Sequence, residues 1–226
     1  MKALSVIIPF LDSATTLQSY LPQILNRISE PALAEIILVD ASESSDVKRI
    51  CEDLHVQYIF CKEKGRAIQM NTGAAYARGK WLFFLHIDSI PPDSYDRLII
   101  SQDSAESGCF QLKFDWDHWF LEFFAWFTRF HWTVARGGDQ GLFVRRDTFI
   151  DLKGFKKIPI MEDVDMCRRL MKRRSFTILQ QKIVTSARKY RKQGVYRLQL
   201  IFTWITILYW FGADADHLKK FYDKKI

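Results

Sequence analysis

The sequence predicts an α/β protein: a mostly parallel, doubly wound central sheet flanked by helices, with a C-terminal helical appendage. Three observations carry this. Apolar runs of strand length, such as Ser5-Val6-Ile7-Ile8, Ile36-Ile37-Leu38-Val39 and Trp81-Leu82-Phe83-Phe84-Leu85, alternate with stretches of helical periodicity. Strands buried on both faces read as such continuous runs. Two of the runs lead to carboxylates, Asp40 and Asp88, at the strand end where open α/β sheets hold ligands. At 226 residues, 48% of them hydrophobic, the chain is long enough for one full core and a terminal addition.

The first strand spans residues 4–9 and is closed by Pro9. Ser13 then caps a helix over 14–29 with Leu17, Leu21, Ile24, Leu25 and Ile28 on one face. A second strand, 35–40, ends on Asp40. A short helix capped by Ser44 or Ser45 runs to Leu54, and residues 57–61 form the third strand. Gly65 opens a helix through Ala77, placing Arg66 and Gln69 on its first turn, where free N–H groups and a guanidinium suit a phosphate.

The fourth strand begins at Trp81. Alternation along an extended chain points His86 and Asp88 the same way, before Pro91-Pro92 forbids the strand to continue. If the second and fourth strands flank the first, Asp40 and Asp88 converge on one crevice. A fifth strand covers 108–114. The segment 116–132 then reads as a helix with a large aromatic face, which serves either as core or as an acceptor wall or membrane-interface surface. The turn Arg136-Gly137-Gly138-Asp139-Gln140-Gly141 allows close backbone approach and presents Asp139 and Gln140 to hydroxyls, or is a simple tight loop. After Pro159 a helix opens on Glu162, Asp163 and Asp165. These acids suit the helix dipole, and adjacent carboxylates there also suit a general base.

Charge divides the chain. Residues 1–150 carry 15 Lys/Arg against 19 Asp/Glu, and residues 151–226 carry 18 against 7. The basic end is a solvated surface or faces something anionic. It contains Ser186-Ala187-Arg188-Lys189-Tyr190-Arg191-Lys192 and an apolar run over 200–213, too short to span a bilayer, which needs ~20 residues. Cys51, Cys61, Cys109 and Cys167 show no metal or redox spacing and read as reduced, buried thiols of a cytosolic chain. No Gly-x-Gly-x-x-Gly follows the first strand and no Walker lysine loop is present, which disfavours a dinucleotide enzyme or P-loop ATPase.

Taken in order, Ser5-Val6-Ile7-Ile8-Pro9, Val39-Asp40, Gly65-Arg66-Ala67-Ile68-Gln69-Met70-Asn71, Leu85-His86-Ile87-Asp88, Gly138-Asp139-Gln140-Gly141, Glu162-Asp163 and Ser186-Ala187-Arg188 resemble the family 2 glycosyltransferases of the GT-A, Rossmann-like fold, in particular a bacterial subgroup. The resemblance covers about residues 4–190, implying a catalytic domain over 1–190 and a helical segment over 191–226. It implies donor contacts from Pro9, Asp40, Arg66, Asn71, His86 and Asp88, with Asp88 ligating a divalent metal, Mn2+ or Mg2+, on the diphosphate. Asp163, with Glu162 beside it, becomes the general base, and Asp139 and Gln140 meet the acceptor. The usual Asp-x-Asp is here His86-Ile87-Asp88, which favours Mn2+ over Mg2+. The Gln-x-x-Arg-Trp of processive synthases is missing from these residues.

The implied activity is metal-dependent, inverting, single transfer of a hexose from a nucleotide-diphosphate sugar, a UDP-sugar favoured, to an acceptor hydroxyl or phosphate. The implied setting is cytoplasmic, at the inner face of the membrane. A lipid-linked acceptor, peripheral membrane contact and a second subunit are the partners to look for; nucleic acid is not. A nucleotidyltransferase should carry a glycine-rich Arg loop where Phe10-Leu11-Asp12 stands. A non-catalytic scaffold should lack the base that Asp163 supplies.

Overall fold

The computed structural model describes residues 2–173 and 175–226. Eight strands form one sheet: β1 (Leu4–Phe10), β2 (Ala34–Asp40), β3 (Gln57–Phe60), β4 (Trp81–Phe84), β5 (Ser89–Ile90), β6 (Ser107–Phe114), β7 (Leu142–Arg145) and β8 (Phe176–Thr185), in the order β3-β2-β1-β4-β7-β6-β8-β5. The first four are parallel neighbours. β7 is inserted antiparallel between β4 and β6, and β8 returns parallel to β6.

The continuous apolar runs have the expected cause. Along β1, Leu4, Val6, Ile8 and Phe10 enter a core shared with α1 (Ala14–Leu25) and α2 (Ser45–Asp53), whereas Ile7 enters the core under α3 (Arg66–Tyr76). Both faces of the strand are covered, so both must be apolar. α3 lies very close: a Cβ on Gly73 would stand 2.5 Å from a methyl of Ile7 and 3.0 Å from one of Val39. Ser13 and Ser44 cap α1 and α2, each accepting from the N–H three residues on. Helix α1 stops at Leu25, short of the expected end, although Ile28 still packs on the core. All four cysteines are free and buried.

Several expectations need correction. β4 ends at Phe84, so His86 and Asp88 lie on a turn beyond it, where strand alternation no longer governs direction. They line different cavities, His86 a small internal one with Met70 and Asp163, and Asp88 a cleft of about 520 Å³ with Ser19, Gln23, Asp115 and Ser186. The aromatic helix is α5 (Trp119–Trp126), followed by one-turn segments. Thr128 ends it, donating to Ala125 O while accepting from Leu112 N of β6. Within α5 only Leu121 is fully buried; Phe120 and, before the helix, Trp116 pack half-buried on the same cluster, while Trp119, Phe123 and Trp126 are exposed, so the aromatic stripe is core on one side only. The strands β5, β7 and β8 complete the sheet beyond those read as parallel from the sequence.

The C-terminal segment packs on the sheet domain as α8 (Arg188–Gln193), α9 (Val195–Trp210) and α10 (Ala215–Lys225). Val195 and Leu198 join Phe114, Leu121 and Tyr190, and Ile205 and Leu218 join Met161 and Val164. Among the described residues no helix is long and apolar enough to cross a membrane.

Candidate active site

The sheet order puts β2 and β4 on either side of β1, and the ends of these strands face α3 and α7 (Glu162–Met171). At that edge the structure gathers Arg66, His86, Asp139, Glu162 and Asp163. The guanidinium Nε of Arg66, at the first residue of α3, lies 2.8 Å from Glu162 Oε1. Glu162 is 1% exposed, and beyond the Arg66 contact no other residue donates to its carboxylate oxygens. Desolvation and the adjacent Asp163 raise its pKa against the pull of Arg66. Desolvation opposes the charge on Arg66, but Glu162, Asp163 and Asp139 outweigh it and hold the guanidinium firmly protonated.

Asp163 is held by two main-chain donors: Val164 N–H reaches Oδ1 at 2.7 Å and Gly138 N–H reaches Oδ2 at 2.6 Å. Each oxygen keeps a second lone pair, so the carboxylate is oriented without being used up. Gly138 is wedged in place. A Cβ there would stand 2.8 Å from the imidazole of His86 and 2.9 Å from Asp163 Oδ2. His86 Nδ1 donates to Asp139 Oδ1 at 2.8 Å. Burial disfavours the imidazolium, yet the Asp139 contact wins and the His86 pKa is raised. Asp139 answers in kind: desolvation opposes its charge, but His86, Arg66 and Lys189 hold its carboxyl below the usual range. Asp88, half-buried, is raised by desolvation and by Asp139, with His86, Lys189 and Arg188 opposing.

Other candidates lie elsewhere or are already engaged. Pro9 is buried within β1, paired with Val39. Asp40 is fully buried and accepts from Ser42 N–H and Ser42 Oγ at Oδ1 and from Tyr58 OH at Oδ2, so it also shapes the turn after β2. Asn71 clamps the main chain of Phe155 in both directions at 2.9 Å. Gln69, placed near a phosphate by the sequence, instead donates to Phe10 O and Val39 O, tying the ends of β1 and β2 together. Gln140 is buried; its amide accepts from Arg136 and donates to Ala135 O. Through these bonds it holds the loop that carries Asp139.

Sequence reading missed three features. Arg136, also buried, donates to Thr128 O, Phe130 O and Gln140 and so fixes the path between α5 and the Asp139 turn. The second is the Arg66–Glu162 pair, which only the packing of α3 against α7 creates. The third is a contact between the loop after β1 and the basic segment: Arg188 donates to Asp12 at 3.0 Å.

With this geometry in view, the comparisons decide the family. The model described as Glycosyl transferase family 2 matches residues 5–176, more than half of the chain. The chain belongs to this family. No curated protein matches the sequence. Among solved structures, the fold is similar to the mannosyltransferase PcManGT from Pyrobaculum calidifontis in complex with GDP-Man and Mn2+ (TM-score 0.67, 14% identity, 91% of this chain and 61% of that one). It is similar also to S. aureus TarS 1-349 (TM-score 0.68, 14% identity, 98% and 69%) and to the same TarS fragment with UDP-GlcNAc (TM-score 0.64, 13% identity, 82% and 58%). The chain thus spans 61% of the length of the mannosyltransferase. These likenesses establish the GT-A architecture for the family 2 chain.

Proposed function

We propose that this family 2 chain transfers a hexose from a nucleotide-diphosphate sugar to an acceptor hydroxyl, with inversion and one transfer per encounter. The observation that carries the reading is Asp163: a carboxylate oriented by two backbone N–H groups, next to a buried Glu162–Arg66 pair at the ligand-holding edge of the sheet. Arg66, at the start of α3, meets the diphosphate together with the helix N-terminus. Asp163 accepts the acceptor proton as the hydroxyl oxygen bonds to the anomeric carbon. The carbon–oxygen bond to the diphosphate breaks, and its electron pair leaves with the nucleoside diphosphate. Asp139, locked to His86, contacts the acceptor or the departing group.

The residues fit a divalent cation of a particular kind. Among the described residues no cluster of three or more His, Cys, Asp or Glu side chains could hold one alone. Burial and the nearby Asp139, however, raise the cost of charging Asp88 in a way that a cation would relieve. Asp88 would therefore share Mn2+ or Mg2+ with diphosphate oxygens, where the ion supplies charge neutralisation for the leaving group. UDP-GlcNAc in TarS and GDP-Man in PcManGT make UDP- and GDP-sugars the donors to test first, UDP-sugars favoured. A lipid-linked acceptor at the inner face of the membrane suits the basic C-terminal third. Calorimetric titration of UDP, GDP and their sugars, with and without Mn2+, tests the donor site. Metal-dependent binding of one nucleotide, lost in Asp88→Ala, is expected; no binding under any condition overturns the assignment.

A further inference from the structure

Two helices leave a continuous apolar face uncovered. On α9 one side is buried through Val195, Leu198 and Ile205, while Tyr196, Leu200, Trp204, Ile207 and, just past the helix end, Phe211 recur at three- and four-residue spacing on the other. Leu200 is 69% exposed and Phe211 88%. The face continues onto α5, because Tyr196 packs against Phe120 at 4.8 Å between ring centroids and against Trp119 at 6.5 Å. There Trp119, Phe123 and Trp126 are exposed in their turn. An amphipathic helix has one apolar side; α9 has two, and only one of them is used by the fold.

The charge beside this face selects its partner. Residues 186–213 contain Arg188, Lys189, Arg191, Lys192 and Arg197 and no Asp or Glu. The guanidiniums of Arg129 and Arg191 lie over the rings of Trp126 and Trp116 at 5.0 and 5.4 Å. Arg188 and Arg191 pair with Asp12 and Asp115 and Glu122 is exposed on α5, but with Arg129, Lys189, Lys192 and Arg197 the surface stays net basic, so a second copy docking here would set like charge against like. An anionic bilayer supplies both complements, apolar acyl chains for Trp and Leu and phosphates for Arg and Lys. We infer that the joined outer faces of α5 and α9 dock on the surface of an anionic membrane, lying in its interface. The loop leaving α5 leads through Arg136 to the Asp139 turn, so docking would set the candidate site close to the lipid. The surface stands on its own residues, and vesicle binding is read without donor or acceptor.

The full chain is sedimented with phosphatidylcholine vesicles with and without phosphatidylglycerol. Binding to the anionic vesicles at low salt is expected, weakening as salt rises, with tryptophan emission quenched by brominated lipid. Leu200→Ser with Trp204→Ser, and separately Trp119→Ser with Phe123→Ser, should keep the wild-type circular dichroism and bind at least about tenfold more weakly. Should either variant fail to fold, quenching of the wild-type protein by brominated lipid decides alone. A wild-type protein left in the supernatant with anionic vesicles, unquenched tryptophans, or folded variants that bind as well as wild type would overturn the proposal. So would a dimer, seen by light scattering, that these substitutions disperse while no vesicle binding occurs.

Discussion

Among the described residues two glutamates are buried, and the fold treats them in opposite ways. Glu35, in β2, accepts from Ser5 Oγ at 2.6 Å, from Arg78 N–H at 2.7 Å and from the Arg78 guanidinium at 3.0 Å, while Ser5 Oγ itself accepts from Gly79 N–H. Desolvation works against this carboxylate, but its donors prevail and its pKa is lowered. Glu162 is more deeply buried, has Arg66 as its single cationic contact and no donor from any other residue, and its pKa is raised. A fold stabilises itself by satisfying buried charge, and a buried carboxylate left short of donors, beside a second carboxylate, supports the catalytic role proposed for this edge. The Glu35 stitch holds β1, β2 and the entry to β4 in register; the Glu162 cluster sits on the frame thus fixed.

The largest expected effect separates the two regions by activity. Asp163→Asn loses the base and sets an amide NH2 against one of the two backbone N–H donors, so turnover should fall by at least about 10²–10⁴-fold while nucleotide binding changes far less. Comparable turnover would move the base elsewhere. Glu35→Gln should do the reverse. It leaves donors facing an amide and should destabilise the protein by about 2–3 kcal/mol in a urea titration without a specific loss of kcat. Its pH dependence has a definite sign. The folded carboxyl is depressed, so its contribution is complete above the unfolded value of about 4.3 and is lost as pH falls through the folded pKa. That part of the acid slope should vanish in the variant.

The Glu35 side of this contrast lies in segments the sequence discloses well. β1 and β2 are apolar runs and α1 carries its serine cap, all local signals that the structure keeps. β8 escaped because Gln180, Gln181 and Lys182 lie exposed in its middle, beside a break in register against β6 at Phe110 and Gln111. The site was legible as a set of residue types but not as an arrangement. Arg66, His86, Asp139 and Asp163 could be picked from the chain, whereas the burial of Glu162 depends on α3 meeting α7. Asn71 and Gln140 look like ligand-binding amides until their main-chain partners are known.

Smaller effects probe how tightly the Glu162 region is set. Gly138→Ala inserts a methyl 2.8 Å from His86 and 2.9 Å from Asp163 Oδ2, so His86, Asp163 or the loop must shift. Displacing a reacting group by a fraction of its contact distance should lower kcat about tenfold or more, with donor affinity changed less. An unaltered kcat would show that Asp163 tolerates a looser seat than its two N–H contacts suggest.

Glu162→Gln should have the smallest effect on stability and is the sharpest test of the comparison. The amide keeps the volume and removes a buried charge that Arg66 alone offsets, while Arg66, half-exposed, retains water and Asp163 for company. Stability near neutral pH should therefore change by no more than about 1 kcal/mol, with a gain allowed. The folded carboxyl is raised above its unfolded value, so the native state holds the extra proton. The wild-type protein is then progressively destabilised as pH rises from the unfolded value through the folded one. The advantage of the variant over wild type should grow across that window and level off above it, which urea titrations carried upward in pH from the unfolded value would follow. A variant as destabilised as Glu35→Gln would mean that the Arg66 pair is a net support of the fold. The two glutamates would then differ in geometry but not in purpose.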